Sequence, residues 1–136
     1  LANVMKTHIY SAFSTLKIGI DLLKENEDIE IHSIYGHGGI FKTKKVAQTF
    51  LAAAMQSPVS VMQTASEGGA WGIAVLARYL VAENDVNLSS YLNEIAFKDT
   101  ESIKIEPNEK EIESFNRYIE RFKKGLPIER LANEQL

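Results

Sequence analysis

Apolar residues recur along the first 25 positions at Met5, Ile9, Phe13, Leu16, Ile20 and Leu23, in steps of three and four that place them on one face of a helix. The spacing predicts an amphipathic helix from Val4 to about Glu25. The pattern then changes: Ile29-Glu30-Ile31-His32-Ser33-Ile34-Tyr35 is short, rich in isoleucine and stopped by Gly36, as a buried strand would be. A turn follows over Gly36–Gly39. Thr43 is placed to cap a second helix reaching about Gln56, whose Val46, Ala47, Phe50, Leu51, Ala53, Ala54 and Met55 leave few polar directions and predict burial. Pro58 introduces a second short strand, Val59–Met62, and Ser66 is placed to cap a third helix running to about Asn84. Strand, helix, strand and helix in that order form the unit of an α/β sheet with a parallel pair.

Beyond that unit, Leu88–Phe97 reads as a short helix and Ser102–Glu106 as an edge strand halted by Pro107. Asn108 and Glu111, three residues apart, form a capping box for a last helix that carries Ile112, Phe115, Ile119 and Phe122 on one face. Gly125-Leu126-Pro127 is expected to close it, leaving a frayed tail. No repeat or linker interrupts the chain, so residues 1–136 are expected to form a single domain. Because the chain begins at Leu1 rather than methionine, it is expected to be a piece of something longer.

Charge and composition narrow the function. Fifteen basic and 18 acidic residues give a net charge of −3, with no electrostatic footprint for nucleic acid or an anionic membrane. No apolar run approaches the ~18 residues of a membrane span. The absence of cysteine excludes a disulfide scaffold, a thiolate zinc site and a cysteine nucleophile, and is compatible with a reducing cytoplasm. Residues 1–82 carry a net +1 and residues 83–136 a net −4, which reads as core and site followed by a solvated cover.

Six of the eight glycines fall between Gly36 and Gly72. Gly36-His37-Gly38-Gly39 sits where a strand ends and a helix begins, the place where open α/β sheets bind ligands and where bare backbone can approach a phosphate; a sharp turn without a ligand fits the same residues. A P-loop is excluded because Lys42-Thr43 follows Phe41 rather than glycine, and a dinucleotide fingerprint because Phe41 stands where its third glycine belongs. Gly68, Gly69 and Gly72 each cost roughly 0.8–1 kcal/mol in a helix, which close packing against Ala52-Ala53-Ala54 or close approach of a nucleotide would explain. Trp71 reads as a packing residue more than a stacking platform. Lys42, Lys44 and Lys45 could hold a phosphate or simply be exposed. His32 and His37 match no helical zinc spacing, and neither a nucleophilic triad nor a carboxylate pair can be identified.

Gly38-Gly39, Gln48, Pro58-Val59, and then Glu67, Ala70, Gly72, Ala74, Leu76 and Ala77 stand in an order that resembles the C-terminal domain of the FGGY carbohydrate kinases, over roughly residues 4–82. The resemblance implies a ribonuclease H-like, actin-like ATPase fold, here the partial, nucleotide-side half of an α/β kinase. It implies ATP, with Gly38, Gly39, Ile40 and Thr43 as binding residues: Gly39 beside the α-phosphate and Thr43 at the adenine. The third helix would pack beneath them. Magnesium, the catalytic aspartate and most of the sugar pocket would belong to a segment N-terminal to Leu1, so no catalytic residue is expected in this chain and it should be inactive alone. Gly-His-Gly-Gly-Ile-Phe-Lys-Thr and Glu-Gly-Gly-Ala-Trp-Gly are most similar to the pentulose kinases, xylulokinase and ribulokinase. Tyr10-Ser11 and Ala53-Ala54 depart from the pairs that relatives often carry there. A cytoplasmic protein, with an apolar face on the first helix suited to a homodimer, is the corresponding expectation. An actin-like nucleotide switch and a helical interaction module remain alternatives.

Overall fold

The computed structural model describes residues 1–27, 29–82 and 86–135, except for the side chain of Ser66. The capping role expected of Ser66 and a helix end at Asn84 therefore lie outside the described residues. Among the described residues, five helices, α1 (Ala2–Glu27), α2 (Val46–Met55), α3 (Gly68–Val81), α4 (Leu88–Tyr91) and α5 (Glu109–Gln135), accompany three strands, β1 (Ile34–Gly36), β2 (Val59–Met62) and β3 (Ser102–Ile105). The strands form one sheet in the order β1-β2-β3. Ile34 pairs with Val59 in the parallel half, and Val59 pairs with Ile105 in the antiparallel half. The parallel pair and the edge strand are as the sequence predicts.

The first strand is much shorter than the run Ile29–Tyr35. Pairing begins only at Ile34, whose N–H donates to Pro58 O at 2.9 Å, because β2 starts at Val59 and offers nothing alongside residues 29–33. Ile29 is 41% exposed, and a 3.3 Å bond from Ser57 Oγ to Ile31 O tethers this segment. A strand needs a neighbour as well as β-branched residues.

Helix α2 starts at Val46, two residues later than a Thr43 cap would place it. Lys45 has φ +67°, a left-handed conformation that helical backbone cannot include, and no side chain caps the helix. Thr43 contributes a carbonyl that accepts from Val46 N at 3.4 Å. Burial of α2 is as expected: Ala47, Gln48 and the run Leu51–Met55 are all inside. Its main partners are α1, α5 and β2, with α3 making no comparable contact.

The core joins Tyr10 and Phe13 of α1, Leu51 and Met55 of α2, Val59 of β2, and Phe115 and Ile119 of α5. Tyr10 is its hub, meeting Phe50, Phe115 and Tyr118 edge-on at 5.5, 5.1 and 5.4 Å, the favoured aromatic geometry. The buried face of α1 therefore runs through Tyr10, Phe13 and Ser14, whereas Met5, Leu16 and Leu23 of the predicted stripe are exposed. Polar groups caused the misassignment: Tyr10 OH and Lys6 Nζ both donate to Glu111 Oε2, at 3.0 and 2.6 Å, so half-polar residues face the core. Glu111 is thereby diverted from a full capping box, of which the Asn108 half forms, Oδ1 accepting from Glu111 N at 3.2 Å.

Helix α3 has no buried residue, and Ile73, Leu80 and Val81 are 69%, 81% and 84% exposed. The expected packing of its glycines against Ala52-Ala53-Ala54 does not occur: a Cβ at Gly69 or Gly72 would meet nothing within 4 Å. The α2 alanines are covered elsewhere. Two aromatic pairs, Trp71–Phe97 at 4.9 Å and Tyr79–Tyr91 at 5.0 Å, hold α3 to α4 and the π-helical turn that follows it, which agrees with Trp71 as a packing residue. Exposed apolar residues thus lie on the first helix, as expected, at Met5, Leu16 and Leu23, and also on α3.

Gly125 and Pro127 do not end the last helix, which continues to Gln135. Proline is unfavourable in a helix interior but suits a first turn, and Ile128–Gln135 is rich in helix formers, with an Arg130–Glu134 pair at 3.0 Å four residues apart. Pro127 behaves as the start of a second helical segment continuous with the first.

Two outcomes are expected. Gln56 ends α2 at φ +51°, so Gln56→Gly should raise stability by about 0.5–1 kcal/mol in chemical denaturation, glycine carrying no penalty there. Burial alone would raise the Glu111 carboxyl, but hydrogen bonds from Lys6 and Tyr10, with the Lys6 charge, outweigh it and hold the group below the usual value of 4.5. A depressed carboxyl stabilises the fold above its unfolded pKa, and that contribution is lost as pH falls through the folded one. Glu111→Gln should cost about 1–2 kcal/mol at neutral pH, and its deficit against the parent should shrink below pH 4.5.

Candidate functional site

β1 and β2 end side by side, and the two segments leaving them are tied together. Gly38 N–H donates to Ala65 O at 2.8 Å, joining the turn after β1 to the 3₁₀ turn Ala65–Glu67 after β2. Gly38 has φ +101° and ψ 176°, a region essentially reserved for glycine. Residues Gly39–Phe41 then form a 3₁₀ turn closed by Phe41 N–H to Gly38 O and Lys42 N–H to Gly39 O, both 3.1 Å.

The glycines divide by role. A Cβ on Gly36 would strike the Phe41 ring at 2.6 Å, so this glycine is required by packing, and one on Gly68 would meet His37 Nδ1 at 2.7 Å. Gly38 is required by its backbone conformation. Gly39 needs to be glycine for neither reason: its φ is ordinary and a Cβ would meet nothing within 4 Å. Among the described residues the N–H groups of Gly39 and Ile40 have no protein acceptor. The turn therefore presents open backbone, two free donors and the positive end of a short helical turn, a cradle that fits an anionic group.

Two clefts flank this turn. One, of about 490 Å³, lies between the start of α2 and the β2–β3 pair, lined by Phe41, Lys42, Lys44, Lys45, Gln48 and, across from them, Gln63, Glu101 and Ile103. The other, of about 350 Å³, is lined by Tyr35, His37, Thr64, Trp71 and Phe97. Of the residues predicted to bind ATP, Gly38, Gly39, Ile40 and Thr43 line neither cleft and occupy the stretch between them. His32 lies apart, 3.8 Å from Glu30 on an exposed segment. Among the described residues no cluster of histidine and acidic side chains could hold a metal ion, and no helix is long and apolar enough to cross a membrane.

Sequence reasoning missed the role of Gln48. Its side chain is 3% exposed, and Nε2 donates to Val59 O of β2 at 2.8 Å and to Ile103 O of β3 at 2.6 Å. An amide side chain in the largely apolar α2 was the available signal, since buried amides are held by partners. The far wall of the larger cleft could not have been found by spacing, because Glu101 and Ile103 reach it only through the antiparallel register of β3.

A glycine turn at the carboxyl ends of a parallel strand pair defines an α/β protein with its loops placed where such sheets bind ligands. Residues 1–81 match the FGGY family of carbohydrate kinases, C-terminal domain, and the chain belongs to that family. The family is of the actin-like, ribonuclease H-like class, which accords with the mixed α/β architecture and its small three-stranded sheet. No curated protein and no solved structure matches the chain.

Gly38, required by its backbone conformation, and the unconstrained Gly39 should separate in stability measurements. Gly38→Ala should lose roughly 1–3 kcal/mol through backbone strain, while Gly39→Ala should stay within about 0.5 kcal/mol of the parent. Urea denaturation of the two variants would distinguish these cases; equal losses would mean that both glycines serve the turn.

Proposed function

We propose that this chain is the ATP-binding part of a cytoplasmic sugar kinase that transfers the γ-phosphate of ATP to a pentulose hydroxyl. Family membership supports a carbohydrate kinase, and members use ATP with magnesium. The observation that carries the nucleotide reading is Gly39: a glycine whose side-chain space is open and whose conformation is ordinary has a reason to be glycine if a ligand occupies that space. In this reading Gly38 shapes the turn, the Gly39 and Ile40 amides face the α-phosphate, and Thr43 lies toward the adenine.

Bound ATP would supply the phosphoryl group; these residues hold and orient it. In-line transfer depends mainly on positioning and electrostatics, and the catalytic aspartate, the magnesium ligands and most of the sugar pocket are assigned to a longer polypeptide of which this chain is part. The apolar face of α3, with Ile73 and Leu80, is assigned to contact with the rest of that polypeptide or with a second copy of the chain.

In the longer kinase, Gly39→Val should raise KM for ATP at least tenfold, about 1.4 kcal/mol, with sugar KM unchanged and circular dichroism confirming the fold. Thr43→Ala should do less, on the order of 1 kcal/mol. The 136-residue chain given ATP, magnesium and a pentulose should form no sugar phosphate. A folded Gly39→Val enzyme with parental ATP kinetics would overturn the assignment.

A further inference from the structure

The larger cleft has a composition that the nucleotide reading does not use. Three exposed lysines, Lys42, Lys44 and Lys45, are among its lining residues with a single acidic residue, Glu101, in a chain whose net charge is −3. Lys42 lies 3.4 Å from the exposed carboxylate of Glu67, and Glu101 accepts from Gln63 Nε2 at 3.1 Å. Lys44 and Lys45 have no carboxylate within salt-bridge distance among the described residues. The uncapped first turn of α2 lies at the same end of the cleft, adding the positive end of a ten-residue helix.

Gln48 supplies an independent observation. Both hydrogens of its Nε2 are spent on the carbonyls of Val59 and Ile103, which fixes the orientation of the amide. Oε1 is left as an acceptor with no protein partner among the described residues, on a side chain that is only 3% exposed and lines the cleft. A buried acceptor without a protein donor is costly, so a ligand entering the cleft with a hydroxyl donor finds a partner there.

We infer that this cleft binds a phosphate monoester of a sugar or polyol, separate from the nucleotide turn. The phosphate would meet Lys44 and Lys45 at the start of α2. A ligand hydroxyl would donate to Gln48 Oε1, and a second to Glu101. Phe41 and Ile103 offer an apolar surface for the C–H face of the carbon skeleton. The volume, about 490 Å³, is within the usual range of small-molecule sites. Phosphate and hydroxyls together are the chemistry of a sugar kinase product, so the site would let the chain sense product-like molecules; its occupancy does not depend on where ATP binds.

The test titrates this chain with ribose 5-phosphate, ribose, inorganic phosphate and AMP, followed by calorimetry and by the Gln48 side-chain amide resonances. Ribose 5-phosphate should bind at least tenfold more tightly than inorganic phosphate, ribose should not bind measurably, and the Gln48 resonances should shift. Lys44→Ala combined with Lys45→Gly, which keeps the left-handed backbone at residue 45, should weaken binding at least tenfold. Gly39→Val should leave ribose 5-phosphate affinity unchanged even if it abolishes nucleotide binding, so failure of the nucleotide reading and failure of this one are separable. Equal affinity for inorganic phosphate and the sugar ester would reduce the site to lysine electrostatics and overturn the proposal. Tighter binding of AMP, lost in Gly39→Val, would equally overturn it by assigning the cleft to the nucleotide.

Discussion

The amide of Gln48 is the interaction on which the arrangement depends. From the middle of α2 it reaches a carbonyl on β2 and another on β3, so one side chain fixes the distance of the helix from the sheet and clamps the antiparallel edge strand to the parallel pair. Both acceptors are strand carbonyls whose loss of a donor in a buried place would be costly. With β2 fixed, β1 is set through its three-residue register, and the turn after β1 arrives beside the turn after β2. The glycine turn, both clefts and the first turn of α2 all inherit their positions from that clamp.

A second polar anchor does the same for the helices. Glu111 receives Lys6 and Tyr10, drawing the start of α5 against α1, while the Tyr10 ring fills the space between them and Phe50 of α2. Three helices and a strand thus share one core. Helix α3 does not take part in it, although its sequence is as apolar as that of α2. Its attachment through Trp71 and Tyr79 to α4 leaves an apolar surface open, which suits a domain whose family acts as the C-terminal part of a larger kinase.

For a phosphate-handling family, the distribution of glycines is informative because they are not equivalent. Gly36 makes room for Phe41, Gly38 permits a turn, and Gly39 leaves space that nothing among the described residues fills. The lysines after the turn line the larger cleft, whereas the glycine pair lines neither cleft.

Local pattern determined the order of strands and helices, the burial of α2 and the span of β2, because alternation, periodicity and Pro58 act on neighbouring residues. It also determined the glycine turn and, through the run of matching residues to about position 82, the kinase family. Boundaries that depend on distant partners were decided by the tertiary structure. β1 is short because β2 is short, Met5 and Leu16 lie outside because Glu111 pulls Lys6 and Tyr10 inward, and α5 passes Pro127 because residues 128–135 can restart a helix. Glu101 and Ile103 join the site for the same reason: they lie about 50 residues beyond Gln48 along the sequence, and only the pairing of β3 with β2 brings them together, a contact written in no local spacing.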